Sequence, residues 1–171
     1  MSMNLFIRLI LVSILARFRT KVSVLGPCLT PFRCSPTDLD VLRHMNNGVY
    51  LSIMDLARVD LMIRAGLWTD LNKNGMYPVV VAETIRFRKS LKLFDRFYIE
   101  TSVLGWDDKA FILQQRFLRG GDSIADAVVR ARFLRKSGGS VTPKEILSLA
   151  KVEIDSPPLP EHIKIWNQNQ I

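Results

Sequence analysis

At 171 residues the chain has room for one domain with a full core and too little for two. Hydrophobic residues at 48% and charged residues at 23% exclude a disordered chain. Lys and Arg outnumber Asp and Glu by 24 to 16, a net +8 that favours anionic partners such as cofactor phosphates, lipid headgroups or nucleic acid.

The chain opens on Leu5 to Ala16, an apolar run broken by Arg8 and followed by Arg17, Arg19 and Lys21. About a dozen apolar residues fall short of the ~20 that span a bilayer. Two readings of this helix stand: it lies on an anionic membrane surface, or it docks on its own domain or a partner subunit. Ala16 also leaves a cleavable signal open. Residues 1–22 are therefore set apart from a domain at 23–155.

Gly26, Pro31 and Pro36 mark a linker that runs into a short strand near Leu29 to Cys34. Cys28 and Cys34 share this segment, and the chain's only histidines are His44 and His162, so neither a disulfide framework nor a metal site is expected. The cysteines read as small apolar residues in a reducing, cytoplasmic setting.

A long helix is predicted from Asn47 to Ala65. Tyr50, Met54, Ala57, Leu61 and Ala65 make one apolar stripe, Asn46 or Asn47 caps the start, and Gly66 ends it. Val49, Leu56, Val59 and Ile63 interleave with Ser52, Asp55, Asp60 and Arg64, so the helix is expected to be buried on more than one side. From Tyr77 to Lys136 short strands alternate with turn signals, which predicts an antiparallel meander. Arg86, Arg88, Lys89 and Lys92 form one basic cluster. Arg130, Arg132 and Arg135 form another, and Arg130 and Arg132 read as a solvated face. No aromatic-interleaved RNA motif accompanies them, so nucleic acid is not the expected partner. Thr142, Pro143 and Glu145 cap a last helix. Residues 156–171, which open on Ser156-Pro157-Pro158-Leu159-Pro160, read as an extended tail. The class is α+β, with the long helix covering the sheet.

The loop before that helix holds Asp38, Asp40, His44, Asn46 and Asn47. A helix start offers unpaired amides and the positive end of a dipole to an oxyanion, and a neighbouring carboxylate can serve as nucleophile or general base. That combination suits acyl transfer to water. No dinucleotide fingerprint, phosphate-binding loop, nucleophile elbow or metal cluster is present. Asp38 reads as a turn or capping residue, and Asp55 with Arg58 reads as an ion pair three residues apart.

Asp38-x-Asp40-x3-His44-x-Asn46-Asn47-x2-Tyr50, with Asp55-x2-Arg58 beyond it, resembles the signature of hotdog-fold thioesterases. These are the 4-hydroxybenzoyl-CoA and acyl-ACP thioesterase type, and the match is closer to the subgroup called thioesterase superfamily member six and its bacterial relatives. Arg86 to Phe94, Leu104 to Phe111 and Leu159 to Glu161 extend the likeness from about Leu29 to Trp166. The resemblance implies a long central helix wrapped by a curved antiparallel sheet of about five or six strands. It implies a homodimer or homotetramer with sites between subunits, which would use the helix's second apolar side. It implies hydrolysis of an acyl-CoA or acyl-carrier thioester, with coenzyme A as part of the substrate and no separate cofactor. Carried over by position, Asp40 is nucleophile or base, and His44 and Asn46 orient water or substrate. Asn47, Gly48, Asp55, Arg88 and Lys89 bind substrate, with the amides around Asn46 to Gly48 facing the oxyanion. Arg43 stands where many relatives have glycine, and there it is expected to narrow the pocket or bind an anion. The alternative is a non-catalytic acyl-CoA or lipid-binding hotdog protein, peripheral on a membrane through residues 5–16.

Overall fold

In the computed structural model, residues 3–170 are described. In chain order the elements are α1 (Met3–Ala16), β1 (Cys28–Arg33), a short 3-10 turn (Pro36–Asp38), α2 (Asn47–Arg64), α3 (Leu67–Lys73) and β2 (Met76–Phe87). There follow β3 (Arg96–Trp106), β4 (Phe111–Arg119), β5 (Asp122–Arg135), β6 (Ser140–Val141), α4 (Pro143–Leu149) and α5 (Glu161–Gln168).

Five strands pair antiparallel in the order β1-β3-β4-β5-β2, and β6 adds a short pairing to β5. Alternation builds the inner face: Phe97, Ile99 and Thr101 of β3 point inward while Arg96, Tyr98 and Glu100 point out. Register shifts at Val80/Ala82, Val103/Gly105 and Phe117/Leu118 each place an extra residue on one strand. Such bulges bend and twist a sheet, which lets this one curl around α2.

The central helix lies close to the predicted bounds. Asn46 caps it by accepting the Gly48 amide at 2.9 Å, and Gly66 follows it at φ 78°. The predicted stripe is buried at Tyr50, Met54, Ala57 and Leu61. Of these, Tyr50, Met54 and Ala57, together with Ile53, pack in one core with Phe97, Ile99, Phe117 and Val129 of the sheet. Each such apolar side chain contributes about 2 kcal/mol on burial.

The second side of α2 is covered by the chain itself. Helix α1 packs along it, burying Val12 and Ala16, and Leu56, Ile63, Asp60 and Arg64 are buried there. Asp60, fully enclosed, accepts from the Thr30 hydroxyl at 2.7 Å, from Arg19 at 3.1 Å and from Arg64 at 3.3 Å. A buried carboxylate is tolerable only when its charge and lone pairs are met in this way. Cys28 and Cys34 are buried free thiols. Burial first, then the Asp60 charge, pushes the Cys28 thiol up to about 11.

Three elements depart from the sequence reading. Helix α3 and strand β6 were not predicted. The C-terminal segment is extended only to Pro160 and then forms α5, where the tail at 156–171 was expected. Helix α5 docks because the Asn167 amide donates to Asp107 at 3.1 Å while its carbonyl oxygen accepts from Arg130. Arg130 is accordingly 4% exposed, not on a solvated face, and its guanidinium pairs with Asp107. Among the described residues, no helix is long and apolar enough to cross a membrane.

Candidate active site at the start of the central helix

The turn Pro36–Asp38 and a tight loop carry the chain from β1 to α2. A bridge between Leu39 and Met45 closes the neck of the loop, and the Asn46 amide donates to the Asp38 carbonyl at 2.8 Å. Inside it, the Asp40 amide donates to the His44 carbonyl at 2.8 Å. The Asp40 Oδ1 accepts the amides of Leu42 at 2.8 Å and His44 at 3.2 Å. Among the described residues nothing donates to Oδ2, so this oxygen is left for a ligand or water.

Asp40 and His44 line a cavity of about 250 Å³ with Met45, Asn47, Tyr50, Phe87, Arg88, Lys89 and Ser90. The end of strand β2 at Phe87 and the segment 88–90 that follows it bring the last four to the helix start, and His44 bridges to Lys92 just beyond them. Tyr50 forms the floor. Its ring meets Phe87 and Phe117 at 5.0 and 4.9 Å, and its hydroxyl accepts the Leu91 amide at 3.3 Å. Burial raises the Tyr50 hydroxyl above its ordinary pKa, so it stays protonated. Arg88 pairs with Asp126, and Lys89 with Asp122 at 2.7 Å. Both cations are about half exposed, so these pairs hold weakly and can give way to a phosphate.

The structure thus gathers Asp40, His44, Asn47, Arg88 and Lys89, and separates the other candidates. The Asn46 side chain is turned to the helix end as its cap and does not line the cavity. Of the start amides, that of Asn46 is spent on Asp38 and that of Gly48 on Asn46. The Asn47 amide has no acceptor among the described residues, so it is the donor available to an oxyanion. Arg43 is exposed and does not line the cavity, so it neither narrows it nor offers a charge there. Its φ of 59° gives the backbone reason why glycine suits this position.

Asp55 lies two turns further along α2, paired with Arg58. The Arg58 guanidinium donates in turn to Gln115, whose amide reaches the Met54 carbonyl at 3.1 Å and Thr101 at 3.0 Å. Asp55 and Arg58 edge a different, apolar cavity of about 270 Å³ between α2 and the sheet, lined by Val59, Met62, Val79, Val103, Leu113 and Phe133 among others. Sequence spacing offered no sign of Phe87 and Ser90 as site residues. Phe87 joins it through the pairing of β2 with β5, and Ser90 through the turn that follows β2, neither of which a local pattern encodes.

Residues 34–166 match the sequence profile of the thioesterase-like superfamily. Protein THEM6 of Xenopus laevis is 40% identical over 131 residues, which cover 77% of this chain and 62% of that protein. Protein THEM6 of Drosophila melanogaster is 30% identical over 170 residues, 96% of this chain and 85% of that one. Among solved structures, a 4-hydroxybenzoyl-CoA thioesterase variant complexed with 4-hydroxybenzoyl-CoA superposes with a TM-score of 0.65 at 19% identity. That match covers 72% of this chain and 97% of that one, and shows a shared fold.

Proposed function

The chain belongs to the thioesterase-like superfamily, and we propose that it hydrolyses an acyl-CoA thioester to the free acid and coenzyme A at the Asp40 cavity. One observation carries this reading: a carboxylate oxygen left free, the free Asn47 amide and two exchangeable cations converge on one cavity at a helix start. The thioester carbonyl lies against the Asn47 amide, which stabilises the oxyanion as the tetrahedral intermediate forms. Asp40 acts through Oδ2, either taking the proton of an attacking water or attacking the carbonyl carbon to give a mixed anhydride that water then opens. In both routes the carbon–sulfur bond breaks, the thiolate leaves and is protonated, and water supplies the new oxygen. His44 orients the water. Arg88 and Lys89 exchange their surface carboxylates for the phosphates of coenzyme A.

The apolar cavity beside Val59 and Met62 supports an aliphatic acyl group. Eight helical residues, about 12 Å, separate Asn47 from Asp55, so only a long acyl chain running along α2 would span the distance between the two cavities. With wild-type protein and a series of saturated acyl-CoAs, KM is expected to fall by about fourfold per added methylene until the cavity is filled. Asp40→Asn is expected to lower kcat by at least about a hundredfold, because a carboxamide neither takes the proton nor attacks. Hydrolysis of no acyl-CoA by wild type beyond the Asp40→Asn background refutes the reading. The outer edge of β2, with Val80 and Val81 exposed, is where a second copy would pair to form the homodimer.

A second reading, an acyl-CoA or lipid carrier on a membrane surface, is favoured by α1. Its outward side exposes Phe6, Ile7, Ile10, Leu11, Ile14 and Leu15, with Phe18 and the exposed Arg17 following. This reading predicts sedimentation with anionic vesicles and acyl-CoA bound without turnover. The two readings part on turnover alone, since a hydrolase can also sit on a bilayer.

A further inference from the structure

Helix α1 ends at Ala16 and the superfamily match begins at residue 34, so α1 is an addition to the matched segment. It nonetheless reaches the motif. The Arg8 Nη2 donates to Asp38 Oδ2 at 2.7 Å and to the Arg33 carbonyl at 3.1 Å. Asn4 donates to the Thr37 hydroxyl, and its amide lies 3.4 Å from the Ser35 hydroxyl and 3.5 Å from Asp38 Oδ1.

Asp38 is 1% exposed and occupies the neck of the Asp40 loop. Its carboxylate also accepts the Ser35 amide at 2.7 Å, on the incoming side of the neck. Its carbonyl accepts the amide of Asn46, the cap of α2, on the outgoing side. The placement of Asp38 therefore sets the distance between the two ends of the loop that carries Asp40 and His44, and the start of the helix that carries the Asn47 amide. A carboxylate this enclosed keeps its place only while a cation compensates it. Arg8 is the cation that reaches it.

We propose that Arg8 is a positioning residue for hydrolysis: α1 supplies the counter-charge that holds Asp38, and through it fixes Asp40 against the Asn47 amide. This rests on the hydrolase reading above, and it makes α1 part of the site's support as well as a surface element.

The test uses full-length protein and the acyl-CoA series. Arg8→Met is expected to lower kcat about tenfold with KM within twofold, because displacement of the reacting group by a fraction of an ångström acts on the chemical step. Arg8→Lys is expected to keep more than half of kcat. The double variant Arg8→Met, Asp38→Asn is expected to recover most of it, since the neutral carboxamide needs no cation. Amide hydrogen exchange in Arg8→Met should rise about tenfold at residues 38–48 and stay unchanged in β3, β4 and β5. Unchanged kcat and unchanged exchange at 38–48 overturn the proposal. So does exchange rising throughout the sheet with no recovery in the double variant, which would mark Arg8 as a general stabiliser. If wild type hydrolyses nothing, the hydrolase reading fails, and exchange confined to 38–48 or absent there still decides whether Arg8 holds the loop.

Discussion

Arg43 adopts φ 59°, a left-handed conformation that costs a side-chain-bearing residue about 1 kcal/mol. Its side chain is exposed and away from the cavity, so no role at the cavity offsets that backbone cost. Arg43→Gly is expected to raise stability by up to about 1 kcal/mol, after the entropy that glycine loses on folding, and to leave kcat unchanged. Urea denaturation and the hydrolysis assay check both halves, and a fall in kcat would show that the guanidinium reaches the substrate. At this scale the position of Asp40 and His44 ahead of the helix was legible, because a short loop before a capped helix leaves little freedom in where they lie. It could not separate Asn46 from Asn47. Adjacent asparagines are equally good caps on paper, and the one that turns to the helix end is chosen by the Asp38 carbonyl 2.8 Å from the Asn46 amide.

Among the elements, strands β2 to β5 and helix α2 were legible because each spans enough residues to show its period, while the seven-residue α4 was legible from its start signal of Thr142, Pro143 and Glu145. Helix α4 even carries its predicted capping box, with Thr142 accepting the Glu145 amide at 3.3 Å. Helices α3 and α5 were not legible, being seven and eight residues long, too short for a periodic signal to stand out. The extended segment before α5 has a different determinant, Gly105 on β3. A β-carbon there would lie 2.8 Å from the Ser156 hydroxyl and 2.9 Å from the Pro157 carbonyl, closer than atoms approach. The Trp106 amide donates to that same Ser156 hydroxyl at 2.8 Å. Gly105→Ala is expected to push this segment off β3 and cost about 1–3 kcal/mol. Proteolysis between residues 152 and 160 should then quicken several-fold, and unaltered cleavage would mean that the strand bulge absorbs the methyl group.

Across the whole molecule, Asp107, Arg130 and Asn167 tie the β3–β4 turn, the middle of β5 and the C-terminal helix into one ionic contact. Burial alone would raise the Asp107 carboxyl, but Arg130, the Lys109 amide and Asn167 bring it from 3.8 down to about 2. A carboxyl depressed on folding stabilises the native state fully above its unfolded pKa and loses that contribution as pH falls through the folded one. Stability from this group is therefore complete above about pH 4 and gone below about pH 2, a span worth about 2 kcal/mol. Asp107→Asn is expected to lose about that much at neutral pH and to show a flatter decline in urea midpoint between pH 4 and 2. An unchanged acid slope would remove Asp107 from the acid response. The α+β class and the curved sheet around one helix were readable from the order of the elements, and the superfamily match and shared fold bear them out. The tie between the last helix and β5 was not, since an arginine in an alternating strand looks the same whether its outer face meets water or a later helix.

The covering of α2 by α1 also separates two boundaries that are easily taken for one. A fragment begun at residue 34, where the superfamily match starts, would lack strand β1, Arg19 and Thr30 as well as α1. Asp60 would keep Arg64 but lose Arg19, Thr30 and the Cys28 thiol, and the side of α2 that holds Leu56 and Ile63 would lose the cover of α1. The segment that the superfamily profile matches is thus shorter than the unit whose contacts close around α2, and any trimming of this chain has to follow the second.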